Sequence, residues 1–115
     1  MALRMTEMES DGVTILEVDG RLVLGRESND FREHVKALLA AGKTKIVLNM
    51  RHVTYIDSAG LGTLVASHAS AQTAGATLKL AHLGEMFSKM MQMTRLFTVF
   101  DAYDTEAEAV RSFRT

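Results

Sequence analysis

The chain reads as an α/β domain built on a mixed β-sheet. Apolar runs of strand length alternate with stretches whose apolar residues recur at helical spacing. The run Lys45 to Met50 is apolar along its middle, as a strand buried on both faces would be, which predicts a central position. The 115 residues, 47% hydrophobic and 23% charged, suit one globular domain over residues 1–115 with an ordinary core.

Residues 3–9 alternate weakly, with Leu3, Met5 and Met8 among charged neighbours, and predict an edge strand. Val13 to Val18 is the next strand. Asp19-Gly20 follows it, and an Asp-Gly pair between apolar runs signals a hairpin because both positions accept φ > 0. Arg21 to Leu24 is then the expected return strand. Residues 27–41 predict a helix, since Phe31, Val35, Leu38 and Leu39 fall at i, i+4, i+7 and i+8. Gly42 stands where a left-handed cap belongs. After the central strand, a helix begins near Ser58, carries Leu61, Leu64, Val65 and His68 on one face, and closes at Gly75. Thr77 to Ala81 is a short strand. Met86, Phe87, Met90 and Met91 predict a shorter helix, and Leu96 to Phe100 a last strand or extended segment. Asp104 or Thr105 can cap a final helix with Ala107, Val110 and Phe113 inward.

Composition excludes several classes of function. Cysteine is absent, which removes thiolate metal sites, disulfides and a cysteine nucleophile. With 13 basic and 14 acidic residues the formal charge is −1, no footprint for nucleic acid or an anionic membrane. Aromatics are 6% and Trp is absent, which argues against a base-stacking surface. The N-terminal residues lack an apolar signal-peptide core, and no run approaches the roughly 20 apolar residues of a membrane span. The expectation is a soluble cytoplasmic domain.

The informative stretch is Val53-Thr54-Tyr55-Ile56-Asp57-Ser58-Ala59-Gly60-Leu61-Gly62. An extended apolar segment runs into Asp57-Ser58 and a helix follows at once, so Ser58 is the expected N-cap. Gly60 and Gly62 cost helix stability, about 1 kcal/mol each relative to Ala. Two readings account for them: close packing of the turn on a strand, or a bare helix end that another backbone can approach. The helix start favours an anion. A serine there is placed to carry phosphate, which adds about −1.5 to −2 charges. Asp57 would repel that phosphate, and the helix end would partly offset the repulsion. A desolvation cost of about 3 kcal/mol in an interface is enough to weaken binding roughly 100-fold.

Asp57-Ser58-Ala59-Gly60-Leu61-Gly62 resembles the signature of STAS domains, in particular the bacterial anti-sigma factor antagonists. The likeness extends over nearly the whole chain. It takes in Asp19-Gly20-Arg21-Leu22, the strand Ile46 to Asn49, Tyr55-Ile56, Gly75, Thr94-Arg95-Leu96-Phe97 and Glu106-Ala107-Glu108-Ala109. It implies a single STAS domain with helices mainly on one face of the sheet, and no catalysis or cofactor. It implies that the unphosphorylated protein sequesters an anti-sigma factor that is also an ATP-binding serine kinase of histidine-kinase-like fold. Phosphorylation of Ser58 then releases it, and a serine phosphatase resets the cycle. Asp57, Ser58, Ala59, Gly60, Leu61 and Gly62 would meet the partner. The sequence departs from the family at Asn49, where many members carry Asp, and at Ala59, where many carry a second Ser or Thr. Loss of that negative charge at Asn49 would soften the field near Ser58.

Other residues carry blander readings. His34, His52, His68 and His82 show no metal-type pairing. His34 is expected on a solvated face and His68 partly buried. Met86, Met90, Met91 and Met93 exceed what one inward face can hold, so some are expected to be exposed, and exposed Met suits an adaptable binding surface. Met90 is the methionine expected to touch the partner, across a groove flanked by its helix and the motif helix. Glu7, Glu9 and Asp11, and Asp101, Asp104, Glu106 and Glu108, form acidic patches for which surface and helix-dipole roles suffice.

Three rival functions differ in class. A flavodoxin-like receiver with Asp57 as acceptor would need a Mg²⁺-holding acidic pair after the first strand and a late lysine, and no Lys follows Lys89. A serine hydrolase would need a nucleophile elbow that Asp57-Ser58-Ala59-Gly60 does not form. A non-enzymatic STAS subunit of a transport system, or a stress-signalling scaffold, is the strongest competitor.

Overall fold

The computed structural model describes residues 3–114. Five strands form one sheet in the order β1-β2-β3-β4-β5. The strands are β1 Arg4–Ser10, β2 Val13–Leu22, β3 Lys45–Ile56, β4 Thr77–Ala81 and β5 Ala102–Tyr103. The helices are α1 Arg26–Ala40, α2 Ser58–Thr73, α3 Glu85–Thr94 and α4 Glu106–Arg111, with a 3₁₀ turn at Leu96–Thr98. β1 is antiparallel to β2, and β2 to β5 are mutually parallel, which makes the sheet mixed. The Cα radius of gyration, 12.8 Å, is that of a compact domain of this length, for which about 13 Å is expected.

The hairpin is real, but it sits at a different Asp-Gly. Asp11 (φ 53°) and Gly12 (φ 76°) join β1 to β2 as a two-residue turn between the paired residues Ser10 and Val13. Both φ values are positive, as a primed hairpin turn requires. At Asp19-Gly20 the strand runs straight on. Its pairing with β3 shifts register between Glu17 and Asp19 and again between Gly20 and Arg21, and Gly20 absorbs the irregularity at φ 124°. Arg21 to Leu24 is therefore no return strand but the end of β2 and the loop beyond it. A partner strand on each side of β2 decided this, which a local dipeptide does not register.

Three crossovers, β2-α1-β3, β3-α2-β4 and β4-α3-β5, advance across the sheet in one direction. Accordingly α1, α2 and α3 lie on one face. Phe31, Val35, Leu61, Leu64, Phe87 and Met91 share a core there with Leu16, Val18, Leu48 and Leu80. The short α4 and the residues just after it cover the other face, where Ala109, Val110 and Phe113 pack on Val13, Ile15, Val47 and Ala81. Ala107 is exposed, contrary to the expected stripe, and Ala109 takes the inward place. Ile46 to Met50 are all buried, as a central strand requires, and β3 extends six residues further, to Ile56. Gly42 (φ 82°) and Gly75 (φ 78°) close α1 and α2 in the left-handed region. Leu96–Thr98 forms a 3₁₀ turn rather than a strand, entered through left-handed Arg95 (φ 60°), and the last strand is Ala102–Tyr103.

Candidate docking and phospho-acceptor site

The C-terminal ends of β2 and β3 build the site. Leu22 and Ile56 are their last paired residues, and both are buried. From there β2 leads into the loop before α1, and β3 turns into α2 through Asp57. The Asp57 backbone N–H donates to the Leu22 carbonyl at 3.3 Å, so the turn stays attached to the neighbouring strand.

Asp57, not Ser58, is the N-cap. Its backbone is extended (φ −102°, ψ −178°), and its Oδ1 accepts from the Gly60 N–H at 2.8 Å. Its Oδ2 accepts from the Leu24 N–H at 3.0 Å. A carboxylate can cap the helix and tie down a second loop at once, which one hydroxyl oxygen does less well. The Gly60 N–H, then that of Leu24, holds the Asp57 carboxyl below the usual aspartate range. Ser58 is thereby freed. It is the first residue of α2 and is exposed.

The two glycines divide between the two readings. A Cβ on Gly60 would stand 2.0 Å from the Leu22 carbonyl oxygen, so close packing on β2 demands glycine. A Cβ on Gly62 would meet nothing within 4 Å, and the residue is exposed. Gly62 is the bare position. Between them Leu61 is buried in the core; Ala59, just before Gly60, is half-buried.

A shallow groove runs beside the site, lined by Met50, Val53, Tyr55, Ile56, Gly84, Met86 and Phe87 among others. Its lining comes from β3 and from the start of α3, not from α2, and the α3 methionine in it is Met86 rather than the expected Met90. Met90 is half-buried against the main core. Met91 is buried, while Met86 and Met93 are 60% and 85% exposed, so the cluster splits between core and surface.

The Asn49 side chain faces the other layer. It donates from Nδ2 to Glu106 Oε1 at 2.9 Å and accepts from the Arg51 N–H at 2.9 Å. Glu106 belongs to α4, across the sheet from α2, so the expected effect of Asn49 on the field at Ser58 gives way to a role in seating α4. The histidines are dispersed. His34 Nε2 lies 3.4 Å from Glu7, and His52 Nε2 lies 3.5 Å from Glu17. His82 Nε2 accepts from the Glu106 N–H at 3.2 Å, and the His68 ring meets Phe100 edge-on at 5.1 Å. His34 is half-buried rather than solvated. Among the described residues no three His, Asp or Glu side chains could jointly hold a metal ion, and no helix is long and apolar enough to cross a membrane. Two members of the N-terminal acidic patch are paired with cations, Glu9 with Lys43 at 2.7 Å and Asp11 with Arg114.

The pinning of Leu24 is the feature that sequence reading missed. Leu24 reads as the tail of an apolar run, and nothing local announces that its N–H meets a carboxylate 33 residues on.

Solved structures share this architecture. A candidate anti-sigma factor antagonist from Thermotoga maritima superposes with a TM-score of 0.88 at 28% identity, over 96% of this chain and 95% of that one. The Bacillus anti-sigma factor antagonist SpoIIAA, in its unphosphorylated form, gives a TM-score of 0.72 at 18% identity, over 97% of each chain. A sulfate transporter family protein from Wolinella succinogenes gives 0.72 at 19% identity, over 94% and 93%. The family model for the STAS domain matches residues 5–109, nearly all of the sheet and every strand-connecting helix, and the chain belongs to the STAS domain family.

Proposed function

We propose that this protein is an anti-sigma factor antagonist switched by phosphorylation of Ser58. The observation that carries the reading is the exposed Ser58 at the start of α2, with Asp57 occupied as cap beside it and Gly62 bare beyond it. The unphosphorylated form docks on an anti-sigma factor that is also an ATP-binding serine kinase, and so frees a sigma factor. The docking surface comprises Asp57 to Gly62 and the face of α3 that exposes Met86, with the half-buried Met90 beside it. Phosphate on Ser58 adds a dianion at the centre of that surface. The helix start tolerates the charge in the free protein, whereas burial against a partner desolvates it. The complex then dissociates, and a serine phosphatase restores the hydroxyl.

On this reading the chain catalyses nothing, carries no cofactor, binds no nucleic acid, inserts in no membrane and works in the cytoplasm. The sheet order supports a binding module. Doubly wound sheets place ligands at a reversal of strand order, and β1 to β5 run across without one. The flavodoxin-like order 2-1-3-4-5 of a receiver is a different topology. The Thermotoga neighbour supports the antagonist role above the transport one, at 28% against 19% identity.

The test is phosphate mapping by mass spectrometry on protein recovered from its host in growth and stress, with affinities measured for the kinase that co-purifies. Ser58→Ala should keep wild-type affinity and never be released by ATP. Ser58→Glu should bind about 100-fold more weakly. Equal affinity for the wild type and the acidic variant would sink the mechanism. Ser58 bare under every condition, in a chain that travels with a membrane transport complex, would favour the transporter-subunit or scaffold role.

A further inference from the structure

We infer that Leu24 is a second docking anchor, presented beside Ser58 by the Asp57 carboxylate and fitting an apolar pocket on the kinase that phosphorylates Ser58. This rests on the function proposed above.

Leu24 is 76% exposed, which alone is ordinary for a single apolar side chain. Its backbone is what sets it apart. The Leu24 N–H donates to Asp57 Oδ2 at 3.0 Å. The Val23 carbonyl accepts from Ser28 Oγ at 2.6 Å and from the Ser28 N–H at 3.2 Å. Gly25 follows at φ 106°, and α1 begins at once. An exposed leucine is thus held on a fixed stretch of backbone, attached through one carboxylate to the turn that carries Ser58. An anchor already in place binds without the cost of ordering a loop. Interfaces concentrate their energy in a few side chains seated in desolvated pockets. In this arrangement Asp57 is a positioning residue for Leu24 as well as a helix cap.

Two variants separate these roles. Asp57→Asn leaves a good N-cap. It has one acceptor oxygen in place of two, so the caps on Gly60 and Leu24 cannot both persist. Leu24→Ala removes the anchor from a largely exposed position, so the fold is unaffected. Amide hydrogen exchange on the free proteins, and titration of each with the purified kinase that co-isolates with wild type, read the outcome. Asp57→Asn should speed exchange at the Leu24 N–H while α2 stays protected. Each single variant should weaken binding about tenfold. The double variant should lose no more than the weaker-binding single, because Asp57 acts through Leu24. Binding of Leu24→Ala within about twofold of wild type would overturn the inference and leave the proposed function standing. Losses that multiply in the double variant would also overturn it, since Asp57 and Leu24 would then act independently of each other. A wild-type protein that binds no serine kinase would overturn both.

Discussion

Gly60 and Gly62 stand two residues apart in the first turn of one helix, and the structure asks opposite things of them. At Gly60 a methyl group collides with the Leu22 backbone, which belongs to a paired strand and cannot yield. Gly60→Ala should cost about 2–3 kcal/mol of stability by overpacking, read from denaturant midpoints. Gly62→Ala should raise stability by up to about 1 kcal/mol, because nothing is struck and alanine is the better helix former. The same substitution should weaken kinase capture, and unchanged affinity would show that no partner approaches there. Asp57 adds a pH signature. Its folded pKa is depressed, so the stability it contributes is present above its unfolded value, roughly 4, and is lost as pH falls through the lower folded value. The gap in Tm between wild type and Asp57→Ala should be widest at neutral pH and close below about pH 4. A gap unchanged across melts from about pH 7 to 3 would exclude the carboxylate as its source.

At the scale of elements, the C-terminal ends of α1 and α2 were legible because their signals are local. Gly42 and Gly75 follow apolar stripes, and both adopt the left-handed conformation that closes a helix. Thr105 caps α4 by accepting from the Glu108 N–H at 3.1 Å, one of two residues the sequence offered. What α4 leans on was not legible. Asn49 is the buried donor to Glu106, an arrangement that joins residues 57 apart. Asn49→Asp, which restores the residue many family members carry, would set two carboxylates against each other. It should cost about 1–3 kcal/mol at neutral pH, and the loss should shrink in acid as one of the two protonates. Phosphorylation of Ser58 should be untouched, since Asn49 faces the opposite layer. A change in phosphorylation rate with unchanged stability would return Asn49 to the site.

For the whole molecule, the sheet has one thickly covered face and one covered by a single short helix. The residues that follow that helix are joined to the sheet by more than apolar contact. The buried Lys79 donates to Ser112 Oγ at 2.7 Å and lies 4.3 Å from the Phe113 ring centre. Removing residues 104–115 would uncover Val13, Ile15, Val47 and Ala81. At about 1.5–3 kcal/mol for each large side chain, this approaches the 5–15 kcal/mol that stabilises a typical domain. The shortened chain should lose its cooperative melt and bind a hydrophobic dye, whereas a sharp transition near the wild-type Tm would show the second face to be dispensable.

Sequence by itself determined the class of fold, the central place of the strand from Ile46 to Met50 and the methionine split, and it pointed to the segment proposed as the site. Each of these rests on periodicity or on a short motif, and such signals are complete within a few neighbouring residues. Tertiary structure decided which Asp-Gly turns, which of Asp57 and Ser58 caps α2, why Gly60 is glycine, which layer Asn49 faces and what pins Leu24. Every one of those depends on a group brought from a distant part of the chain: the β3 neighbour of β2, the Leu22 carbonyl, the Glu106 carboxylate and the Leu24 N–H. Hydrogen bonds and steric contacts act over a few ångströms of space whatever the separation along the chain, and only the folded sheet sets those distances.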